Sequence, residues 1–266
     1  MVPSLTVREI EFHGSTRVSS QDTEVVEMEP GRTYTVGREP GPMAEGGVPI
    51  GVGEHRDATV SGQALTVSVD KGGWTLSIRN RNGAELRPWG TPARVLIPSS
   101  TGQPPEATDA VVFWPRVGVR LLGRLSSRDL AQRRLEHWIL LEHNGFPYPR
   151  VVDPHPTLVN TPLEVRPGRG TFTRRNPALL TATQRRAVEA VFADYLSWPP
   201  VSSPVVKVQS SAANLVGGSR QNLQALLGTA RERAAQLGTP GQDITDPIYM
   251  YALVANGYLS PDPHIN

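Results

Sequence analysis

Between Leu65 and Ile78 two runs, Leu65-Thr-Val-Ser-Val69 and Trp74-Thr-Leu-Ser-Ile78, alternate apolar and polar side chains around Asp70-Lys71-Gly72-Gly73. Alternation of period two places every apolar side chain on one face of an extended strand, and the Gly-rich tetrapeptide is turn chemistry. The segment therefore predicts a hairpin with one buried face. Two strands cannot bury such a face alone, so the hairpin demands more strands or a covering layer.

Candidates for those strands lie on both sides. Leu5, Val7, Ile10 and Phe12 mark a strand over Leu5 to Phe12, and Thr23 to Met28 marks a second. Pro30-Gly31 makes a turn before Thr33 to Val36, and Val48 to Val52 resumes the sheet after a Gly- and Pro-rich loop over 39–47. Val111 to Trp114 and Val117 to Leu122 read as closing strands, separated at Pro115, which suits a bend or an edge. Short strands with closely spaced turn signals predict a mostly β sandwich over residues 1–125.

From Ser126 the pattern changes. Ser126-Ser-Arg-Asp129 can cap a helix, and Leu130, Leu135, Trp138, Ile139 and Leu141 fall mostly on one helical face. Residues 126–178 are thus expected to hold a helix and then a connector rich in proline (Pro147, Pro149, Pro154, Pro156, Pro162, Pro167). His137, Glu142 and His143 lie close together here, but with no further ligand nearby they read as packed or solvated side chains rather than a metal site.

Residues 179–266 predict an all-α domain. Thr181 and Gln184 form a capping box for a helix to Ser197, Val208 to Val216 is a second helix, and Gly217-Gly218 is a turn. Ser219 caps a third helix to Leu237, and Asp243 to Asp246 opens a last one through Ala255. Helix, Gly turn and helix is the order of a helix-turn-helix, whose second helix presents its first residues to base edges. Those residues here are Arg220, Gln221, Asn222 and Gln224, with Arg231 and Arg233 placed for phosphates. DNA is accordingly an expected partner.

Charge supports that reading more than composition does. Residues 1–60 carry 5 basic and 10 acidic side chains, whereas 165–241 carry 10 and 3, Arg166, Arg169, Arg174 and Arg175 among them. A basic block of this kind is the electrostatic footprint of nucleic-acid binding, and Arg-rich coding bias is the plainer alternative. The absence of cysteine excludes disulfides and thiolate metal sites and favours a cytoplasmic compartment. No apolar run approaches the roughly 20 residues of a membrane span, so no membrane association is expected.

No segment carries an enzyme's constellation: there is no Cys nucleophile, no P-loop and no His-Glu-x-x-His helix, and no catalytic residue, metal or cofactor is expected. What the strands do present is a set of polar loop residues: Gly37-Arg38, Ser61, and Arg79 to Gly83 with Arg81, Asn82 and Gly83. A guanidinium fork with a hydroxyl and an amide suits a phosphate, through paired N–H donors and neutral ones. Arg79 and Arg81 add cations at the turn.

The order and spacing of these residues over Leu5 to Leu122 resemble a forkhead-associated domain, a β-sandwich family that binds phosphothreonine peptides. Val36-Gly37-Arg38 matches the family's opening Gly-Arg, Ser61 matches the Ser of its Ser-Arg-x-His, and Asn82-Gly83 matches its Asn-Gly turn. Gly62 stands where the family has Arg, and Ala64 where it has the bracing His. The helical region, with Leu-Thr-x-x-Gln at Leu180 to Gln184, is similar to helix-turn-helix regions beside such domains in high-G+C bacterial proteins. The resemblance implies a phosphopeptide-binding module at Arg38, Ser61, Arg81, Asn82 and Gly83, coupled to a DNA-binding output in a signalling or transcription regulator. Two alternatives stay open: a phospho-independent adaptor using the same loops for an unmodified partner, and a scaffold for self-association.

Overall fold

The structure is a computed structural model that describes residues 2–14, 16–51, 59–70, 73–99, 106–123, 133–148, 180–237 and 241–261. Two compact units are present: Met1–Tyr148 with Ser197–Ser203, and Pro149–Leu196 with Pro204–Asn266.

The first unit is a β-sandwich-like pair of sheets. Its elements in chain order are β1 (Ser4–His13), β2 (Thr16–Glu27), β3 (Thr33–Gly37), a 3-10 turn (Met43–Glu45), β4 (Gly47–Pro49), β5 (Leu65–Asp70) and β6 (Gly73–Ile78). They continue with β7 (Ala84–Pro88), β8 (Arg94–Leu96), β9 (Thr108–Val112), β10 (Arg116–Leu121) and β11 (Arg133–Glu142). A six-stranded sheet runs β2-β1-β11-β10-β7-β8 and a five-stranded one β4-β3-β5-β6-β9. The predicted hairpin is β5–β6, paired from Leu65↔Ile78 to Asp70↔Gly73, with Lys71 and Gly72 of its turn outside the described residues. Its inward residues Leu65, Val67, Trp74, Leu76 and Ile78 meet Leu5, Val7, Val119, Ile139 and Leu141 of the other sheet in one core.

Residues 133–142, expected as part of a helix, form instead β11, the strand between β1 and β10. The reason lies in burial. Ile139 and Leu141 pack in the sandwich core while Trp138 and Leu140 join Ile10 in a separate apolar cluster. A strand covered on both faces loses period two, and its apolar run then fits helical spacing equally well. Ten-residue pairing with β1, Ser4↔Glu142 to His13↔Arg133, decides the matter. The unit therefore extends past residue 125, and Ser126, Asp129 and Leu130 lie outside the described residues.

The second unit is helical: α1 (Ala182–Val191), α2 (Gln209–Val216), α3 (Arg220–Gln236) and α4 (Pro247–Ala255). The caps match the sequence. Thr181 and Gln184 form the capping box, Ser219 accepts from Asn222 N–H, and Asp246 accepts from Ile248 N–H. α1 packs on α2 and α3, and α3 on α4, with Phe192 and Tyr249 edge to face at 5.4 Å. α1 ends at Val191, short of the expected Ser197. Most of the connector, including Arg166, Arg169, Arg174 and Arg175, lies outside the described residues.

Among the described residues no helix is long and apolar enough to cross a membrane.

Candidate functional site

One end of the sandwich gathers three loops, and the gathering starts at a glycine. A Cβ on Gly37 would sit 2.1 Å from the Gly62 carbonyl oxygen. No side chain fits there, so the end of β3 can lie directly on the 61–64 segment. That closeness allows Arg38 N–H to reach Ser61 O (3.2 Å), Glu39 N–H to reach Gly62 O (2.8 Å) and Ala64 N–H to reach Val36 O (2.9 Å).

The third loop is tied in by Asn80, whose side chain is fully buried. Its Oδ1 accepts from Ser61 N–H (3.2 Å), and its Nδ2 donates to Gly83 O (2.7 Å) and Leu122 O (2.8 Å). Arg81 N–H donates to the Ser61 hydroxyl (3.0 Å), and Asn82 Nδ2 donates to Thr59 O (3.0 Å). Arg38, Ser61, Arg81, Asn82 and Gly83, all singled out from the sequence, are thus brought to one loop cluster.

Their side chains differ in availability. The Arg38 guanidinium is 31% exposed, its buried Nε makes no hydrogen bond among the described residues, and it stands 3.5 Å from Glu39 Oε1. Ser61 Oγ is occupied as an acceptor, and its hydrogen has no acceptor among the described residues. Arg79 and Arg81 are exposed, with no ion pair among the described residues. Asn82 spends its amide nitrogen on Thr59 O, and Gly83, at φ 82°, shapes the turn and is buried. Chemically the loop end offers a cation, a hydroxyl donor and two further exposed guanidiniums.

Asn80 is the residue that the sequence reading passed over, taking it as one member of a turn. The signal was present as Asn80-x-Asn82-Gly83: two amides flanking one position, of which only one can be the exposed turn residue. The brace expected of a His at position 64 falls to Asn80. Ala64 is fully buried and contributes its carbonyl, which accepts from both Arg79 and Asn80 N–H (2.8 Å each).

His137 and Glu142 lie on opposite faces of β11, because their positions differ by an odd number along a strand. His137 Nδ1 is 3.4 Å from Glu9 and 2% exposed, whereas Glu142 accepts from the Trp198 indole.

The candidate DNA readers are distributed differently. At about 100° per residue, Arg220, Gln224 and Arg231 share one stripe of α3, and Gln221 and Asn222 point elsewhere. That stripe borders the buried one of Leu223, Leu227, Ala230 and Ala234. Arg220 Nε and Gln224 Nε2 both donate to Gln209 Oε1 of α2 (3.2 and 2.7 Å), and Arg231 donates to Gln242 O (3.1 Å). Asn222 N–H is spent on the Ser219 cap. Over 180–237 and 241–261 the unit carries 6 basic and 5 acidic residues, so much of the basic block comes from the undescribed connector.

No family model matches the chain, and no curated protein matches it. Among solved structures, that titled Crystal Structure of Interferon Regulatory Factor 9 IAD Domain is similar over 53% of this chain and 82% of that chain, with 8% identity and a TM-score of 0.33.

Proposed function

We propose that the loop end of the sandwich is a docking surface for a phosphothreonine-containing segment of a protein partner, and that the chain is a signalling or regulatory protein. The observation that carries this reading is the joining of the Arg38, Ser61 and Asn80–Gly83 loops through Asn80 and the Ser61 hydroxyl. A phosphate entering there would meet the Arg38 guanidinium in exchange for Glu39 and would take the Ser61 O–H, which has no acceptor among the described residues, both charge-assisted hydrogen bonds. Exposed Arg79 and Arg81 supply the remaining positive potential that a dianion needs.

The Arg38–Glu39 pair favours one second reading, in which the same surface docks an unmodified partner and the guanidinium stays paired. Fluorescence anisotropy with a phosphothreonine peptide library and its unphosphorylated counterpart separates the two. Arg38→Ala is expected to weaken phosphopeptide binding at least tenfold, the loss of roughly one charge-assisted hydrogen bond. Equal binding of both libraries would remove phosphate from the proposal.

Gly62→Arg sharpens the test. A Cβ at Gly62 would meet Glu39 only at 3.6 Å and beyond among the described residues, so the backbone takes a side chain there, and an arginine adds another guanidinium to this loop. A gain in phosphopeptide affinity of about tenfold is expected.

A further inference from the structure

The outer face of the six-stranded sheet, the face turned away from the sandwich core, carries a second built surface. Its floor is Trp138, buried and fully enclosed, with the Arg87 and Arg120 guanidiniums each 6.0 Å from its ring centroid. Glu85 pairs with both arginines and holds the two forks in place. Beside Trp138 the sheet has Gly118, where any side chain would fill the surface.

Residues 197–203 lie on this surface. Among the described residues their backbone pairs with no strand, so no β-ladder there holds them. Three contacts made by side chains do. Trp198 packs on the Ile10, Trp138 and Leu140 cluster and donates its indole N–H to Glu142 Oε1 (2.9 Å). The Pro200 ring occupies the space above Gly118: a Cβ there would stand 2.7 Å from Pro200 Cγ and 3.1 Å from Trp138 Cζ3. Arg87 donates to the carbonyls of Val201 and Ser202, the latter at 3.4 Å.

An indole socket, a seat for one proline ring on an aromatic floor, and a guanidinium reading successive carbonyls are contacts with which an aromatic-lined surface can hold a Pro-containing peptide. We propose that this face is a peptide-recognition site for a Trp-Pro-Pro-Val segment, and that Ser197–Ser203 is its intramolecular ligand, exchangeable with a peptide of the same chemistry. The site is independent of the loop-end reading, since it shares no residue with it.

The test uses the full chain and a fluorescein-labelled peptide of residues 197–203. Trp198→Ala and Pro200→Ala each weaken the chain's own segment while leaving the sheet surface whole. Both variants are expected to bind the labelled peptide at least tenfold more tightly than the unaltered chain, in which the site is filled in cis. Adding Arg87→Ala to Pro200→Ala is expected to abolish the binding. Pro200→Ala removes only a ring at the surface of the sheet, so it keeps the experiment decisive if Trp198→Ala fails to fold. Absence of peptide binding by a Pro200→Ala chain of unaltered circular dichroism and melting overturns the proposal. So does binding that is equal in the unaltered chain, or that persists without Arg87.

Discussion

The loop end of the sandwich and the start of α3 were both nominated from the sequence by polar side chains, and they behave oppositely. At the loop end, positions some 20 and 40 residues apart are joined by hydrogen bonds, because strand pairing fixes where each loop emerges and Asn80 ties the loops together. On α3, Gln221 and Asn222 are turned away from the stripe that Arg220, Gln224 and Arg231 share, because each helical step rotates the side chain by about 100°. Clustering in sequence predicts little about clustering in space on a helix, whereas loops from adjacent strands converge even when their sequence separation is large.

The largest expected effect breaks the convergence itself. Asn80→Ala leaves Ser61 N–H and Leu122 O without the partner that Asn80 supplies and leaves Gly83 O with Leu122 N–H alone, and should cost about 3 kcal/mol in urea unfolding. A cost below about 1 kcal/mol would mean that the loops are held by something other than that amide. On the helical side the matching element is a cap. Ser219→Ala removes the acceptor for Asn222 N–H and should cost about 1 kcal/mol, read from thermal melting.

The dispersal on α3 is open to a direct challenge. Arg220→Ala with Gln224→Ala removes two hydrogen bonds to Gln209, and any DNA affinity of the chain is expected to fall by less than threefold in a filter-binding series over salt concentration. A drop of tenfold or more would make that stripe a reader and undo the contrast drawn here.

The smallest effect concerns an ion pair on the six-stranded sheet. Arg8 hydrogen-bonds Asp22 at 2.5 Å across β1 and β2, and this bond holds the Asp22 carboxyl below its ordinary value of 3.8. With the folded value lowered, the stabilisation is present above about pH 4 and is lost as pH falls through the folded value. Asp22 is 38% exposed, so screening limits the contribution to about 0.5 kcal/mol. The stability difference between the unaltered chain and Asp22→Asn should therefore shrink as urea titrations move from pH 6 to pH 2.5.

Much of the site could be read before the fold was known. Gly37-Arg38, Ser61 and Asn82-Gly83 announce turns between alternating strands, and turns on one edge of paired strands have few places to go. The Pro200 seat could not be read, because its requirement for Gly118 arises only when residues more than 80 positions apart meet across a sheet face. Asn80 was hidden for a related reason: a buried amide and an exposed one are the same letter until burial assigns them.

Taken alone, the sequence determined what local chemistry can decide: the β5–β6 hairpin from its alternation, and the starts of α1, α3 and α4 from Thr181, Ser219 and Asp246, each satisfying an N–H within three residues of itself. Tertiary structure decided β11, the docking of Ser197–Ser203 on the outer sheet face, and the bracing role of Asn80. These depend on partners tens of residues away. A strand buried on both sides has no periodic signature, and a buried polar group is defined only by the neighbours that satisfy it.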